Sequence, residues 1–152
     1  MFSSMTTALE IRNCLFEGLN SEAPQGLVEV VYLFGSFACN RQRAESDIDL
    51  AFLVAREKYS IDAFECTAPL HMIAAKVGMG LDRVVDVTVL NSASLEIAYE
   101  IVAGGECLFE RDSERRMQYE LKIRGMFFDF RPFLYELRRE RLGLPPDYVF
   151  RS

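Results

Sequence analysis

Two short apolar runs, Val28-Glu29-Val30-Val31-Tyr32-Leu33-Phe34 and Ile48-Asp49-Leu50-Ala51-Phe52-Leu53-Val54, stand on either side of a Gly35-Ser36 pair and a following stretch that ends in Asp47-Ile48-Asp49. Runs of this length, rich in β-branched residues and bounded by a glycine turn or by charge, read as buried strands rather than helices. The pattern therefore predicts a sheet with a Gly-Ser turn leaving one strand and a D-x-D entering the next. The two halves lie ten residues apart, each at the edge of a strand.

The rest of the chain supplies helices to cover such a sheet. Residues 6–19 carry Leu9, Cys14, Leu15 and Leu19 at helical spacing, and Ser21 to Gly26 then make a turn. Ser60 is a plausible cap for a helix over 60–77, stopped by Gly78-Met79-Gly80 and kinked or broken at Pro69. Residues 83–90 read as a third strand with one acid, Asp86, among its valines. A further helix runs from Ser92 or Ser94 to Gly104-Gly105, and Cys107-Leu108-Phe109 forms a short fourth strand. Residues 113–142 show a long helical pattern through Tyr119, Ile123, Phe127, Phe130, Leu134 and Leu137, with a kink expected at Pro132. The expectation is one α/β (α+β) domain over 1–152: a core over about 6–110, built on a small mixed sheet flanked by helices, and a C-terminal helical extension over about 113–142.

Composition removes several function classes. No apolar run approaches the roughly 20 residues of a membrane span, and the N-terminus lacks the basic and apolar parts of a secretory signal. Cys14, Cys39, Cys66 and Cys107 form no C-x-x-C pair, so they read as reduced cytoplasmic thiols rather than a disulfide frame or a zinc site. A formal charge of −6 and a pI near 4.9 argue against a basic surface for direct nucleic-acid binding. A nucleotide is still admissible, because metal ions and backbone N–H groups can neutralise its phosphates.

The chemistry rests on three acids. Strand side chains alternate, so Asp47 and Asp49 project from one side while Ile48, Leu50 and Phe52 point into the core. Two carboxylates held together repel unless a cation sits with them, and hard oxygen ligands suit Mg²⁺ shared with substrate phosphates. A lone D-x-D ordinarily serves turn chemistry at a strand start. Asp86 changes the reading, because an acid within a valine-rich strand is costly unless exposed or liganded. If its strand pairs with the D-x-D strand, Asp86 joins the same face. Gly35 permits close backbone approach, and the Ser36 hydroxyl with adjacent N–H groups can grip terminal phosphates. Three carboxylates and two metal ions imply in-line transfer of a nucleoside monophosphate to an acceptor hydroxyl.

At these residues the chain resembles the DNA polymerase β-like nucleotidyltransferases, and within them the minimal nucleotidyltransferase (MNT) domain antitoxins. The likeness is carried by Gly35, Ser36, Asp47, Asp49 and Asp86. It extends to Leu33-Phe34-Gly35-Ser36-Phe37-Ala38, Ser46 to Ala51 and Val84 to Asn91. The resemblance implies ATP as substrate, Mg²⁺ as cofactor, and a HEPN-type ribonuclease toxin as partner, silenced by AMP placed on a toxin tyrosine. The alternatives are a non-catalytic antitoxin that masks its toxin by contact, and transfer to a small-molecule hydroxyl such as an aminoglycoside. The family's usual Arg-Gly after Gly-Ser-x-Ala is replaced here by Cys39-Asn40, which leaves Arg41 and Arg43 as the nearby candidates for holding phosphate.

Two other features have ordinary explanations. His71 reads as a packed or surface helix residue rather than a ligand. Phe127, Phe128, Phe130, Phe133 and Tyr135 exceed what one helix face can bury, so part of this set is expected to meet a partner chain or a second copy.

Overall fold

The computed structural model describes residues 6–35 and 46–149. Helix α1 (Ala8–Glu22) leads into β1 (Val28–Phe34); β2 (Ile48–Val54) is followed by a single turn, α2 (Arg56–Tyr59), and by the long α3 (Ala63–Leu81). Then come β3 (Val85–Val89), α4 (Leu95–Gly104), β4 (Glu106–Glu110) and the 29-residue α5 (Ser113–Arg141). The strands form one sheet in the order β3-β2-β1-β4. β1 is antiparallel to both β2 and β4, whereas β2 and β3 run parallel, with α3 as the crossover between them. The sheet is mixed and carries helices on both faces, as the sequence implied.

Strand alternation divides the core. Val28, Val31 and Leu33 of β1 join Ile48, Leu50 and Phe52 of β2 on one face, packed against Ile11 and Leu15 of α1 and Leu70, Ile73 and Val77 of α3. Val30, Tyr32 and Ala51 point to the other face, under Ala98, Ile101 and Val102 of α4 and Ile123 of α5. Ile48, Leu50 and Phe52 are fully buried, which leaves the odd-numbered positions of β2, Asp49 among them, on the α4–α5 side.

Several boundaries differ from the sequence reading for identifiable reasons. α1 buries Ile11, Leu15, Gly18 and Leu19, while Leu9 is 66% exposed. Its start is fixed by a capping box in which Glu10 N–H donates to Thr7 Oγ1 and Thr7 N–H donates to Glu10 Oε2. α3 is capped by Asp62 rather than Ser60 and passes Gly78 to end at Asp82, which takes the left-handed conformation at φ 51°. Gly78 is small for another reason. A Cβ there would lie 2.6 Å from the Arg83 carbonyl oxygen, so the glycine lets the chain fold back tightly into β3. α3 and α5 run through Pro69 and Pro132 without interruption. No helix among the described residues is long and apolar enough to cross a membrane.

Of the aromatic stripe on α5, only the start is packed. Ile123 is buried and Phe127 stacks on Tyr99 of α4 at 3.8 Å between ring centroids. Phe128, which meets Tyr99 and Phe127 edge-on, and Phe130 and Phe133 are each about half exposed. His71 is exposed on α3. Among the described residues Cys14, Cys66 and Cys107 are free thiols; Cys39 lies outside them.

Candidate active site

The end of β1 and the starts of β2 and β3 meet at one end of the sheet. Asp49 is the second residue of β2 and pairs in register with Asp86 across the parallel β2–β3 ladder. Neighbouring strands lie about 4.8 Å apart and in-register side chains share a face, so the two carboxylates stand side by side. On the opposite flank Asp49 pairs with Phe34, the last residue of β1, which delivers Gly35 to the same place. Asp47, just ahead of β2, is exposed.

The electrostatics agree with this geometry. Burial raises the pKa of the Asp49 carboxyl above the ordinary carboxylate range, and the negative charges of Asp86 and then Asp47 push it in the same direction. Both neighbours are therefore close enough for their charge to be felt, and a cation between them would relieve the repulsion.

Gly35 explains why no other residue type fits the turn. Its φ is +74°, a left-handed conformation that L side chains adopt only with strain. A Cβ at this position would also run into Asp49 Oδ2. The bare backbone thus lies directly against the carboxylate, leaving a cradle that a side chain would fill. Oxygen donors on adjacent strands beside an open backbone turn fit a small hard cation that shares its remaining coordination with phosphate oxygens and water. Among the described residues, no three His, Cys, Asp or Glu side chains converge closely enough to enclose an ion by themselves.

Of the residues singled out from sequence, Gly35, Asp47, Asp49 and Asp86 come together at this end of the sheet. Ser36, Arg41 and Arg43 lie outside the described residues, as does the Cys39-Asn40 pair. Two groups important to the local architecture were not singled out. Asn91 donates from Nδ2 to the Val54 carbonyl at 2.8 Å and accepts from the Val54 N–H at 2.9 Å, tying the far end of β2 to the turn after β3. Glu29, an acid inside apolar β1, is 5% exposed and accepts from Arg111 and Arg115, each at 2.7 Å on Oε1. The signal for Glu29 was the one that identified Asp86, an acid flanked by valines.

Residues 20–114 match the family Polymerase beta, Nucleotidyltransferase. The chain belongs to this family of nucleotidyltransferase-fold proteins. It is 34% identical over 89 residues to the protein adenylyltransferase MntA of Shewanella oneidensis, a match covering 57% of this chain and 59% of that protein. The matched stretch thus spans less than two thirds of that relative's length. A chain from a crystal structure of a toxin-antitoxin with AMP-PNP superposes with a TM-score of 0.68 at 25% identity, covering 86% of this chain and 98% of the other. A second, from a tri-AMPylated Shewanella oneidensis HEPN toxin in complex with an MNT antitoxin, gives 0.65 at 23% identity over 87% of this chain and 96% of the other, a likeness of fold.

Proposed function

We propose that the whole chain is one nucleotidyltransferase domain acting as a cytoplasmic antitoxin, which transfers AMP from ATP to a tyrosine hydroxyl of a cognate HEPN ribonuclease toxin. The observation that carries this reading is the in-register pairing of Asp49 with Asp86 beside the bare backbone of Gly35. Family membership and the likeness to a protein adenylyltransferase support the same chemistry.

In this reading Asp47, Asp49 and Asp86 hold Mg²⁺, with two ions expected. The ions, when bound, offset phosphate charge and align the reacting oxygens. Gly35 and Ser36 position the triphosphate, and Arg41 and Arg43 counter its charge. Asp86 is exposed and is proposed as the acid facing the acceptor. The tyrosine oxygen forms a bond to the α-phosphorus, the bond to the β-phosphate bridging oxygen breaks, pyrophosphate leaves, and the hydroxyl proton passes to Asp86 and then to water. Raising the Asp49 pKa strengthens the case for a cation here, because an ion removes the penalty that two neighbouring carboxylates impose.

A second reading, masking of the toxin by contact alone, draws on the half-exposed aromatic residues of α5. Incubating the protein with Mg²⁺, ATP and the cognate toxin, then weighing the toxin by mass spectrometry, separates the two. The expected result is a gain of AMP that is lost in Asp47→Ala and Asp49→Ala. Equal neutralisation by wild type and both variants without a mass change would leave masking as the function.

A further inference from the structure

At the end of the sheet away from the three acids, a cleft of about 870 Å³ opens between β1, the end of β2, α4 and α5. Its volume lies in the range of small-molecule sites. Its apolar wall comes from Leu90, Leu95, Ala98, Ile123 and Met126, and Arg56 and Lys122, both exposed, stand among its lining residues.

Two polar groups lining it lack partners. Glu29 has a side chain only 6% exposed, and both of its arginine contacts fall on Oε1. Its Oε2 is buried with no hydrogen-bond partner among the described residues. The Tyr119 hydroxyl is likewise buried and without a partner among them, and burial pushes its pKa up to about 12, so it stays a neutral donor. Leaving two such groups unpaired in one cleft is costly unless something supplies their bonds.

The chemistry narrows what that is. The Glu29 carboxylate already sits between two guanidinium groups, so a further cation would meet repulsion and a neutral N–H donor would not. The apolar wall accepts a flat or hydrophobic body; Arg115 is engaged by Glu29, and Arg56 with Lys122 outweigh the one exposed acid of the lining, Glu57, so the rim accepts an anionic end. Val30, Tyr32 and Ala51, each 1% exposed or less, fill the same face of the sheet between this cleft and Asp49. The cleft is therefore separate from the carboxylate site.

We infer that this cleft is a second binding site, taking a small anion with an aromatic or apolar body and a neutral N–H donor, the chemistry of a nucleoside monophosphate. The site does not depend on the catalytic reading, and its test needs no turnover. The full chain, labelled with ¹⁵N, is titrated with AMP in the presence of EDTA, which withholds the metal the carboxylate site needs. The expected result is saturable shifts at Leu90, Gln118 and Lys122, with Gly35 and Asp49 unmoved and Asp49→Asn binding as wild type does. Lys122→Glu should weaken binding about tenfold or more, adenosine should bind more weakly than AMP, and Tyr119→Phe, which keeps the ring in place, should lower affinity measurably. Amide spectra of each variant report that it is folded. The inference is overturned if AMP causes no shifts up to about 1 mM, if the shifts centre on Gly35 and Asp49, or if folded variants bind AMP as wild type does.

Discussion

Asp49 carries a conflict between stability and chemistry. Its folded-state pKa is raised, so the native protein binds this proton more tightly than the unfolded chain does. By linkage its contribution to stability falls as pH rises from the unfolded pKa through the raised folded one. Metal-free Asp49→Asn should therefore melt at a higher temperature than wild type near neutral pH while losing the proposed AMP transfer; differential scanning calorimetry with EDTA checks the first half. A lower melting temperature would mean that the carboxylate is held by favourable contacts instead. Gly35→Ala tests the cradle. The left-handed φ and the clash with Asp49 Oδ2 should together cost roughly 1–3 kcal/mol, read from denaturant unfolding, with transfer reduced far more than the fold. At this scale the sequence was informative about Asp47, Asp49 and Asp86, because charge in a strand is conspicuous. The partners of Glu29 were not legible, since Arg111 and Arg115 reach it from more than eighty residues away.

α3 governs the third acid. It returns the chain to β3 through a turn in which the Asp82 and Arg83 N–H groups both donate to the Gly78 carbonyl, and the Ile48 N–H donates to Val84 O at 2.9 Å. Any side chain at Gly78 presses on the Arg83 carbonyl, three residues ahead of Asp86. Gly78→Ala should cost about 1–3 kcal/mol and lower the proposed AMP transfer by shifting β3, although the residue has no chemical role. Unchanged transfer would show that the turn gives way without moving the strand. The strands were legible from their apolar runs and the α4 stop from Gly104-Gly105. Gly78 was misread as a stop because a glycine needed for close approach and one needed for a left-handed cap look alike in sequence. The cap role fell to Asp82.

For the molecule as a whole, the family match ends at residue 114, where α5 begins. The first half of α5 is packed on the core by Ile123, by Phe127 on Tyr99, and by the Tyr32 hydroxyl donating to Glu120 at 2.7 Å, whereas the second half meets α4 through the exposed Arg138–Glu96 pair at 2.8 Å, a surface ion pair of small energetic weight. A chain ending at Asp129 should therefore still unfold cooperatively by circular dichroism, yet lose the proposed neutralisation of a toxin. Failure to fold would place the exposed aromatic half within the stabilising core. The strand order β3-β2-β1-β4 was not legible, because pairing between distant strands leaves no local trace, although the mixed sheet it produces was expected. That order has a dynamic consequence. Gly35 follows and Asp47 precedes the two inner strands, with Asp49 within β2, whereas Asp86 rides on an outer strand held by one ladder alone. Outer strands open more readily than inner ones. Fraying of β3 would carry the third acid away from Asp49 and leave a folded protein, Gly35 still against Asp49, in which the proposed transfer waits until the edge closes again.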